Sequence, residues 1–366
     1  MTKVLIVDDS ALIRKLFAAV LTSEGDFEIA FARNGAEALA QLDSFRPDVI
    51  TLDIHMPGMN GLECLDRIMV ERPCPVVMVS SATAEGAEAT LEALRLGAVD
   101  FVPKPTGAVS LRMDTFAPTL VEKIRAAASA RVRASRRLRE QVRHRIGGAA
   151  VPRARVPASD AEAPARLPES RNGLVVVGTS TGGPPALETV LSGLAADFPW
   201  PLVIAQHMPA TFTGTLARRL DSVCAIRVLE VTRATVLEPG CAYIGRGDAD
   251  LILSRRAAGL VAMAAPAQVD LPWHPSTDRL VRSAMEHVPA HQLIGVLMTG
   301  MGNDGAQAME RLHAAGGKTI AESEETAVVW GMPGELVKAG GADWILPVTQ
   351  IAARLQKLTL SHASYP

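Results

Sequence analysis

Short apolar runs alternate with longer segments of helical periodicity on both sides of one stretch that almost lacks large apolar side chains. The run Val4–Val7, for example, precedes the helix-like segment Ala11–Leu21, and this alternation is typical of strands that alternate with helices. The stretch 147–172 is rich in Pro, Ala and Arg and cannot bury enough apolar surface to offset ordering. We therefore predict two α/β domains joined by a linker: 1–125, an Arg/Pro/Ala-rich linker at 126–172, and 173–366.

Composition excludes several classes of protein. The chain has 366 residues, of which 48% are hydrophobic and 21% charged, so each domain can bury its own core. A formal net charge of −2 argues against a general affinity for nucleic acid or anionic membrane. The run Arg131–Arg145 holds seven arginines against one glutamate and is most simply a solvated helix face. We expect no nucleic-acid partner and, since no apolar run approaches roughly 20 residues, no membrane insertion.

The cysteines and the amino terminus indicate the compartment. Cys64, Cys74, Cys224 and Cys241 are widely spaced and form no C-x-x-C pair. The first residues, MTKVLIVDDS, become polar too soon for a signal peptide. These features predict a cytoplasmic protein without disulfides.

Five polar residues lie at the ends of four predicted strands in the first domain. Asp8 and Asp9 follow the first strand, Asp53 and Ser80 end two others, and Lys104 follows a fourth. The carboxyl ends of parallel strands share one edge of the sheet, so these groups converge in a crevice. Clustered carboxylates suit Mg²⁺, and Asp53 could then act as a nucleophile toward phosphate. The Ser80 hydroxyl and the Lys104 ammonium group would bind the phosphoryl oxygens.

The motifs V-D-D-S, L-D-I-H-M-P-G-M-N-G, V-S-S-A-T and D-F-V-P-K-P resemble the receiver domain of two-component response regulators. The resemblance implies a flavodoxin-like fold with a parallel five-stranded sheet and phosphorylation by a sensor histidine kinase. It implies roles for these residues: Asp53 as phosphoacceptor, Asp8 and Asp9 as metal-binding acids together with Asp53, Ser80 and Lys104 as the switch pair, and Phe101 as the switch aromatic. His55 stands where related receivers often carry an acidic residue. The alternative is a flavodoxin-like domain whose acids are incidental.

A strand, a tight turn and a helix frame one serine of the second domain. The segment Leu174–Val177 runs into G-T-S-T-G-G, which carries Ser180 and precedes the helix-like Ala186–Leu194. A G-x-S-x-G turn exposes a hydroxyl beside helix N–H donors, which favours an activated nucleophile. Glycine-rich turns of this kind also bind phosphate, so catalysis needs a base in addition.

Two further strand ends supply the missing groups. His207 follows Leu202–Ala205, and Asp304 lies in a glycine-rich loop after Leu293–Met298. His207 could take the Ser180 proton and Asp304 could fix the imidazole tautomer. The order Ser–His–Asp differs from the Ser–Asp–His order of α/β-hydrolases, so we do not predict that fold.

The motifs G-T-S-T-G-G, Q-H-M-P, G-C-A-Y-I, H-P-S-T-D and T-G-M-G-N-D-G resemble the catalytic domain of the chemotaxis protein-glutamate methylesterases. The resemblance implies a doubly wound, Rossmann-like α/β methylesterase domain. It implies hydrolysis of glutamate γ-methyl esters on chemoreceptors with release of methanol, often with deamidation of receptor glutamines, and no metal in the esterase site. Thr181 and the Met301 backbone would assist near the oxyanion. Trp273-His274 departs from the usual His-Arg of this family.

The two halves together predict a phosphorylation-activated enzyme. A receiver that packs across the esterase cleft would exclude the substrate until phosphorylation of Asp53 weakens the interface. The alternative is a phospho-regulated adaptor without catalysis, in which the G-T-S-T-G-G turn caps a helix or holds a phosphate. A transcription-type regulator is disfavoured because no helix-turn-helix pattern follows the receiver.

Overall fold

The computed structural model describes residues 1–105, 113–130, 173–268 and 270–361. The arginine-rich run 131–145 and the predicted linker from residue 131 onward lie outside the described residues. The helix before them extends to Ser129, beyond the predicted domain boundary at residue 125.

The first domain is a five-stranded parallel sheet in the order β2-β1-β3-β4-β5, which confirms the predicted fold. Its strands are β1 (Thr2–Val7), β2 (Phe27–Ala32), β3 (Val49–Asp53), β4 (Val76–Ser80) and β5 (Asp100–Pro103). Its helices are α1 (Ala11–Glu24), α2 (Gly35–Ser44), α3 (Gly61–Glu71), α4 (Ala84–Arg95) and α5 (Met113–Ser129).

Burial and capping explain why these segments form. Every residue of β3 and β4 is buried, as expected for strands that are covered on both faces by helices. The side chain of Asn60 accepts a hydrogen bond from the Glu63 amide, and the Glu63 carboxylate accepts one from the Asn60 amide, so a capping box starts α3 directly after the loop that follows Asp53. The sheet edge that carries the polar residues is therefore followed by well-defined helix starts.

The second domain is built on a seven-stranded parallel sheet in the order β15-β14-β13-β6-β7-β10-β8. Its strands are β6 (Leu174–Thr179), β7 (Leu202–Gln206), β8 (Arg227–Val231), β10 (Cys241–Gly245), β13 (Leu293–Leu297), β14 (Lys318–Glu322) and β15 (Trp344–Leu346). Its α-helices are α6 (Gly183–Ser192), α7 (Ala210–Val223), α8 (Thr277–His287), α9 (Ala306–Ala314), α10 (Met332–Lys338) and α11 (Val348–Ser361).

Helices cover both faces of this sheet, so the domain is doubly wound as predicted. Val175 and Val177 of β6 belong to one hydrophobic cluster together with residues of α6, α7 and α11. Leu174 and Val176 belong to another together with residues of α8, α9 and α10. Successive side chains of a strand point to opposite faces, which explains the division.

A three-stranded antiparallel sheet lies beside the parallel sheet and was not predicted. It consists of β9 (Thr235–Val236), β11 (Ala249–Arg256) and β12 (Gly259–Pro266), in the order β11-β12-β9. Buried residues such as Leu251 and Leu253 alternate with less buried ones, which is the usual pattern of a half-exposed antiparallel strand. The strand predictions rest on continuous apolar runs, and such alternating strands do not contain them.

The chain order reverses between β6 and β13. From β6 the chain passes to β7 on one side, whereas β13 lies on the other side of β6 and leads to β14 and β15. Open α/β sheets bind ligands in the crevice at such a switch point, outside the carboxyl ends of the strands. The topology therefore predicts that the ligand site lies at the loops after β6, β7 and β13.

The described residues contain no helix that is long and apolar enough to cross a membrane. All four cysteines are free thiols. Burial raises the pKa of the Cys64 and Cys74 thiols to about 12, so both are protonated at neutral pH.

Candidate active site and phosphoacceptor site

Ser180 lies in the tight turn between β6 and α6. Gly182 at the helix N-cap has a φ of 77°, a left-handed conformation that favours glycine. A Cβ at Gly183 would lie 2.1 Å from Oε1 of Gln206, so this position also requires glycine. Nε2 of Gln206 donates to the Ser180 carbonyl oxygen at 3.0 Å. The turn is thereby fixed from the end of the neighbouring strand β7.

Four hydrogen bonds converge on the buried carboxylate of Asp304, and one of them comes from His207. His207 Nε2 lies 2.8 Å from Asp304 Oδ2. The same carboxylate accepts hydrogen bonds from the Thr277 amide at 2.6 Å, from the Asp278 amide at 3.0 Å and from the Ser276 hydroxyl at 3.0 Å. Ser276 caps α8, so the carboxylate lies at the positive end of that helix. The predicted pairing of His207 with Asp304 is present in the structure.

The electrostatics of Asp304 favour its ionised form. Burial alone would raise its pKa, but the hydrogen bonds from His207 and from the Asp278 and Thr277 amides hold the pKa below its usual range. A carboxylate that stays ionised can accept the His207 Nε2–H and leave Nδ1 with its lone pair. Nδ1 is buried and has no hydrogen-bond partner within the described residues.

Ser180 and His207 are close to the same cleft but are not hydrogen-bonded to each other. Among the described residues, no hydrogen bond joins the Ser180 hydroxyl to the His207 ring. Catalytic hydrogen bonds are often formed only when substrate is bound. The indole of Trp273 stacks on the His207 ring, with centroids 6.1 Å apart and planes inclined by 8°. The structure thus places the departure from the family motif directly against the predicted base.

Backbone groups near Ser180 define where an oxyanion could be bound. The Ser180 amide donates to the Thr299 carbonyl oxygen at 2.9 Å and is therefore occupied. Within the part of the chain that the structure describes, the Thr181 and Met301 amides have no hydrogen-bond partner. Met301 lines the cleft beside Ser180 and His207. These two amides are therefore available as donors.

The predicted site residue Thr181 contacts the receiver domain. Its hydroxyl donates to Oδ2 of Asp100, the first residue of β5. Oδ1 of Asp100 also accepts from Lys123 of α5 at 2.7 Å. The neighbouring Phe101, the predicted switch aromatic, packs against Phe212 of the esterase domain, with ring centroids 4.3 Å apart. One strand end of the receiver therefore contacts the esterase through a hydrogen bond and an aromatic pair.

A cleft of about 710 Å³ lies between the two domains. Ser180 and His207 line it from the esterase domain, and Phe101, Lys104 and Glu122 line it from the receiver domain. Ser180 is only 7% exposed in this arrangement. The receiver and the esterase domain therefore enclose Ser180 together.

The receiver brings together the predicted phosphoacceptor, acids and lysine. Lys104 Nζ lies 2.7 Å from Asp53 Oδ2 and 3.1 Å from Asp8 Oδ2. Burial, and then the neighbouring Asp53, raise the pKa of Asp8. Oxygen atoms of Asp8, Asp9 and Asp53 lie within 4.8 Å of one another. Crowded carboxylates with one incompletely paired buried oxygen fit a hard divalent cation, so these residues match the predicted Mg²⁺ site.

The second member of the predicted switch pair points elsewhere. The Ser80 hydroxyl donates to the Gly86 carbonyl oxygen in the first turn of α4, at 3.0 Å. It makes no hydrogen bond to Asp53 among the described residues. His55 is exposed, and its amide donates to Asp53 Oδ1 at 3.2 Å. The motif departure at His55 therefore borders the predicted phosphoacceptor, Asp53.

Several residues that shape the site were not predicted. Asp100 lay inside the quoted motif D-F-V-P-K-P and Ser276 inside H-P-S-T-D, yet neither was given a role. Buried Asp250 accepts hydrogen bonds from His274 Nδ1 at 2.8 Å and from Arg279 at 2.6 Å. Nothing in the local sequence distinguishes these polar residues from ordinary surface positions, because their partners are distant in the chain.

Comparison with known proteins agrees with this architecture. A model of the CheB methylesterase domain matches residues 175–355, and a model of the response regulator receiver domain matches residues 4–114. A protein from Rhodopseudomonas palustris (strain BisB18), named protein-glutamate methylesterase/protein-glutamine glutaminase 2, is 57% identical over 354 residues. The match covers 96% of this chain and 97% of that protein. The chain belongs to the CheB methylesterase family.

Other members of this family are also similar over most of the chain. A Rhodospirillum rubrum protein named protein-glutamate methylesterase/protein-glutamine glutaminase 3 is 52% identical over 97% of this chain and 95% of that protein. The crystal structure of the Thermotoga maritima CheB methylesterase catalytic domain is 36% identical and has a TM-score of 0.49, covering 51% of this chain and 98% of that one. The predicted family and enzyme class are confirmed, while the roles of individual residues stay predictions.

The carboxylate of Asp304 should be required for turnover. We expect Asp304→Asn to lower kcat for ester hydrolysis by about 10³- to 10⁴-fold, because the amide cannot stabilise the imidazolium that forms on His207. Methanol release measures this rate. Asp278→Asn, which removes a neighbouring half-buried carboxylate without touching His207, is the control. An equal loss in both variants would refute a specific role for Asp304.

The lowered pKa of Asp304 also predicts how stability depends on pH. A group whose pKa is lower in the folded state stabilises the fold above its ordinary value of 3.8. That contribution is lost as the pH falls through the lowered folded-state pKa. We expect acid unfolding to begin at higher pH in Asp304→Asn than in wild type, as measured by circular dichroism. Coincident acid transitions would contradict the expectation.

Magnesium should stabilise the receiver through Asp8. The raised pKa of Asp8 means that its ionised form destabilises the fold at neutral pH, and a bound cation would relieve this cost. We expect Mg²⁺ to raise the melting temperature of wild type, whereas Asp8→Asn should melt higher than wild type without metal and respond little to Mg²⁺. Asp43→Asn, at a side chain that is 95% exposed, is the control. A full Mg²⁺ response in Asp8→Asn would exclude this site.

Proposed function

We propose that this chain hydrolyses glutamate γ-methyl esters on chemoreceptors when Asp53 is phosphorylated, and that it also deamidates receptor glutamines. The hydrogen bond between His207 and Asp304 beside Ser180, in a cleft that the receiver covers, carries the proposal. The methylesterase and glutaminase names of the relatives support the substrate class. A sensor histidine kinase would be the phosphodonor, and the protein would act in the cytoplasm.

The residues support an acyl-enzyme mechanism. Ser180 Oγ forms a bond to the ester carbonyl carbon while its proton passes to His207 Nδ1, the ring nitrogen that Asp304 leaves free. The bond from carbon to the methoxy oxygen then breaks, and that proton leaves with methanol. Water repeats the sequence, with His207 as base, and releases glutamate and free Ser180. With a glutamine substrate the leaving group is ammonia instead of methanol.

The tetrahedral oxyanion would be bound by the loops after β6 and β13. The amides of Thr181 and Met301 are free to donate, and the Thr181 hydroxyl would add a third donor once it is released from Asp100. Preorganised donors of this kind typically contribute a factor of about 10² to 10³ each to the rate. This assignment gives Thr181 and Met301 the assisting roles predicted from the motif.

In this arrangement the receiver inhibits in two ways. It covers the cleft, so a receptor helix cannot reach Ser180, and Asp100 holds the Thr181 hydroxyl away from the oxyanion. The interface also includes an ion pair between Glu92 of α4 and Arg219 of α7, at 3.7 Å. Both effects end when the domains separate.

Phosphorylation of Asp53 would act on the same elements that form this interface. Mg²⁺, when bound by Asp8, Asp9 and Asp53, would offset negative charge at the phosphoacceptor. Ser80 would exchange its hydrogen bond to Gly86 for one to the phosphoryl group, and the first turn of α4 would lose that contact. Because α4 and β5 carry the interface, a change of a few kcal/mol there would shift the population strongly toward the open form.

The first test measures methanol release from methylated chemoreceptor membranes. We expect wild type to be strongly stimulated by a small-molecule phosphodonor, Asp53→Ala to remain at the basal rate, and Ser180→Ala to release no methanol. If wild type released none from any methylated receptor, the alternative of a phospho-regulated adaptor would hold. In that case Ser180→Ala would leave signalling output intact.

The contact between Asp100 and Thr181 predicts a variant that is active without phosphorylation. Asp100→Asn cannot accept from Lys123 and from Thr181 as a carboxylate does, and it should weaken the closed form by about 1–3 kcal/mol. We expect methanol release by the unphosphorylated variant to rise by roughly tenfold.

Asp26→Asn is the matched control, because it removes an equal charge from the receiver surface at a side chain that pairs with Arg125, away from the cleft. The inhibition model would be lost if unphosphorylated Asp100→Asn, properly folded, were no faster than wild type. A similar rise in Asp26→Asn would assign the effect to receiver stability rather than to the contact.

A further inference from the structure

One buried carboxylate near the active site takes no part in the mechanism described above. Glu322 ends β14, and only 1% of its surface is exposed. No Lys, Arg or His forms an ion pair with it among the described residues. A buried carboxylate without a cationic partner is costly unless its oxygens accept hydrogen bonds. The hydrogen-bond donors to Glu322 therefore show which part of the structure this side chain stabilises.

Both carboxylate oxygens of Glu322 accept hydrogen bonds. Oε2 accepts from the Thr299 amide at 2.8 Å, and Oε1 accepts from the Thr326 hydroxyl at 2.9 Å. The Glu322 carbonyl oxygen is occupied by the Trp330 indole N–H at 2.8 Å. The last paired residues of β13 and β14 are Leu297 and Ala321. The hydrogen bond from the Thr299 amide to the Glu322 side chain lies just beyond this pair. This hydrogen bond therefore joins the two strands beyond the point where their backbone hydrogen bonds end.

Thr299 in turn holds the nucleophile turn. Its carbonyl oxygen accepts from the Ser180 amide and from the Thr179 hydroxyl, both at 2.9 Å. Its hydroxyl donates to the Thr181 carbonyl oxygen at 2.8 Å. Every polar group of Thr299 is therefore used. Glu322 accepts from the amide, the turn that carries Ser180 uses the carbonyl oxygen, and the hydroxyl contacts both that turn and the Val329 amide, which donates to it at 3.1 Å.

We propose that Glu322 is a positioning residue for the esterase reaction, which sets the loop of residues 299–305 against the Ser180 turn through Thr299. This inference rests on the proposed function of Ser180. The loop also carries Met301 and Asp304, so its placement determines the distance of the oxyanion donor and of the His207 orienter from the nucleophile. A displacement of about 1 Å at a catalytic group can cost on the order of 100-fold in rate.

A purely structural role would not require a carboxylate at this position. An apolar side chain of similar size would fill the buried space without the cost of burying a charge. Glutamine would keep both contacts, because its carbonyl oxygen can accept from the Thr299 amide and its amide can donate to the Thr326 hydroxyl. The two substitutions therefore separate space filling from positioning.

The test compares Glu322→Gln with Glu322→Leu in the full chain, treated with a small-molecule phosphodonor. We expect Glu322→Leu to lower kcat for methanol release by roughly 10- to 100-fold with KM little changed, and Glu322→Gln to stay within a few fold of wild type. Thr326→Val is the matched control. It removes the other hydrogen bond of Glu322 and should lower the melting temperature without a comparable fall in kcat.

The labelling rate of Ser180 by a fluorophosphonate gives a second readout that does not depend on the receptor. It should be slow in Glu322→Leu and near wild type in Glu322→Gln. The proposal is overturned if folded Glu322→Leu keeps the wild-type kcat and labelling rate, or if Glu322→Gln is impaired as strongly as Glu322→Leu. If wild type labels Ser180 but releases no methanol, the proposed substrate fails while the labelling rates still decide the role of Glu322.

Should Glu322→Leu fail to fold, Thr299→Val tests the same connection at its next link. This variant keeps the hydrogen bond from the Thr299 amide to Glu322 but removes the hydroxyl that donates to the Thr181 carbonyl oxygen and accepts from the Val329 amide. We expect slower labelling of Ser180 and a lower kcat. Folded Thr299→Val with wild-type rates would overturn the proposal.

Discussion

The arrangement of the esterase site depends on one ionised carboxylate at the start of a helix. Asp304 lies where the amides of Thr277 and Asp278 emerge from α8, so the helix stabilises the charge that orients His207. The usual cost of burying a carboxylate is offset by these donors, and the pKa of Asp304 stays low. A site on this loop would not hold the imidazole in one tautomer if the helix began elsewhere.

The adjacency of β6 and β13 explains why the loops of Ser180 and Asp304 lie side by side although they are far apart in the chain. The loops after these two strands leave the sheet side by side, and Thr299 joins them through hydrogen bonds to the Ser180 turn. The side chain of Glu322, from the next strand along, completes this contact. Three neighbouring strand ends thus act as one rigid support, which is the arrangement that a preorganised site requires.

The receiver uses the same kind of sheet edge, and its two functions converge on β5. Asp100 contacts Thr181, Phe101 packs on Phe212, and Lys104, just beyond the strand, pairs with Asp53. Lys104, the predicted switch lysine, and the residues that contact the esterase domain are therefore separated by only a few positions of one extended segment. A rearrangement at the phosphoacceptor reaches the interface through covalent geometry and direct contact, without a longer chain of side chains.

Sequence reasoning placed the candidate site residues correctly at the ends of strands but missed the contacts between distant segments. Asp53 and Ser180 follow continuous apolar runs, and the parallel-sheet rule alone places such residues at a common edge. The contact of Asp100 with Thr181 joins residues 81 positions apart, and that of Glu322 with Thr299 joins residues 23 positions apart. Neither contact can be predicted from the neighbouring sequence, because the hydrogen-bond donor to each acid lies close to it only in the folded chain. The antiparallel strands were missed for the same reason, since alternation along Leu251 and Leu253 indicates a partner strand only once that partner is known.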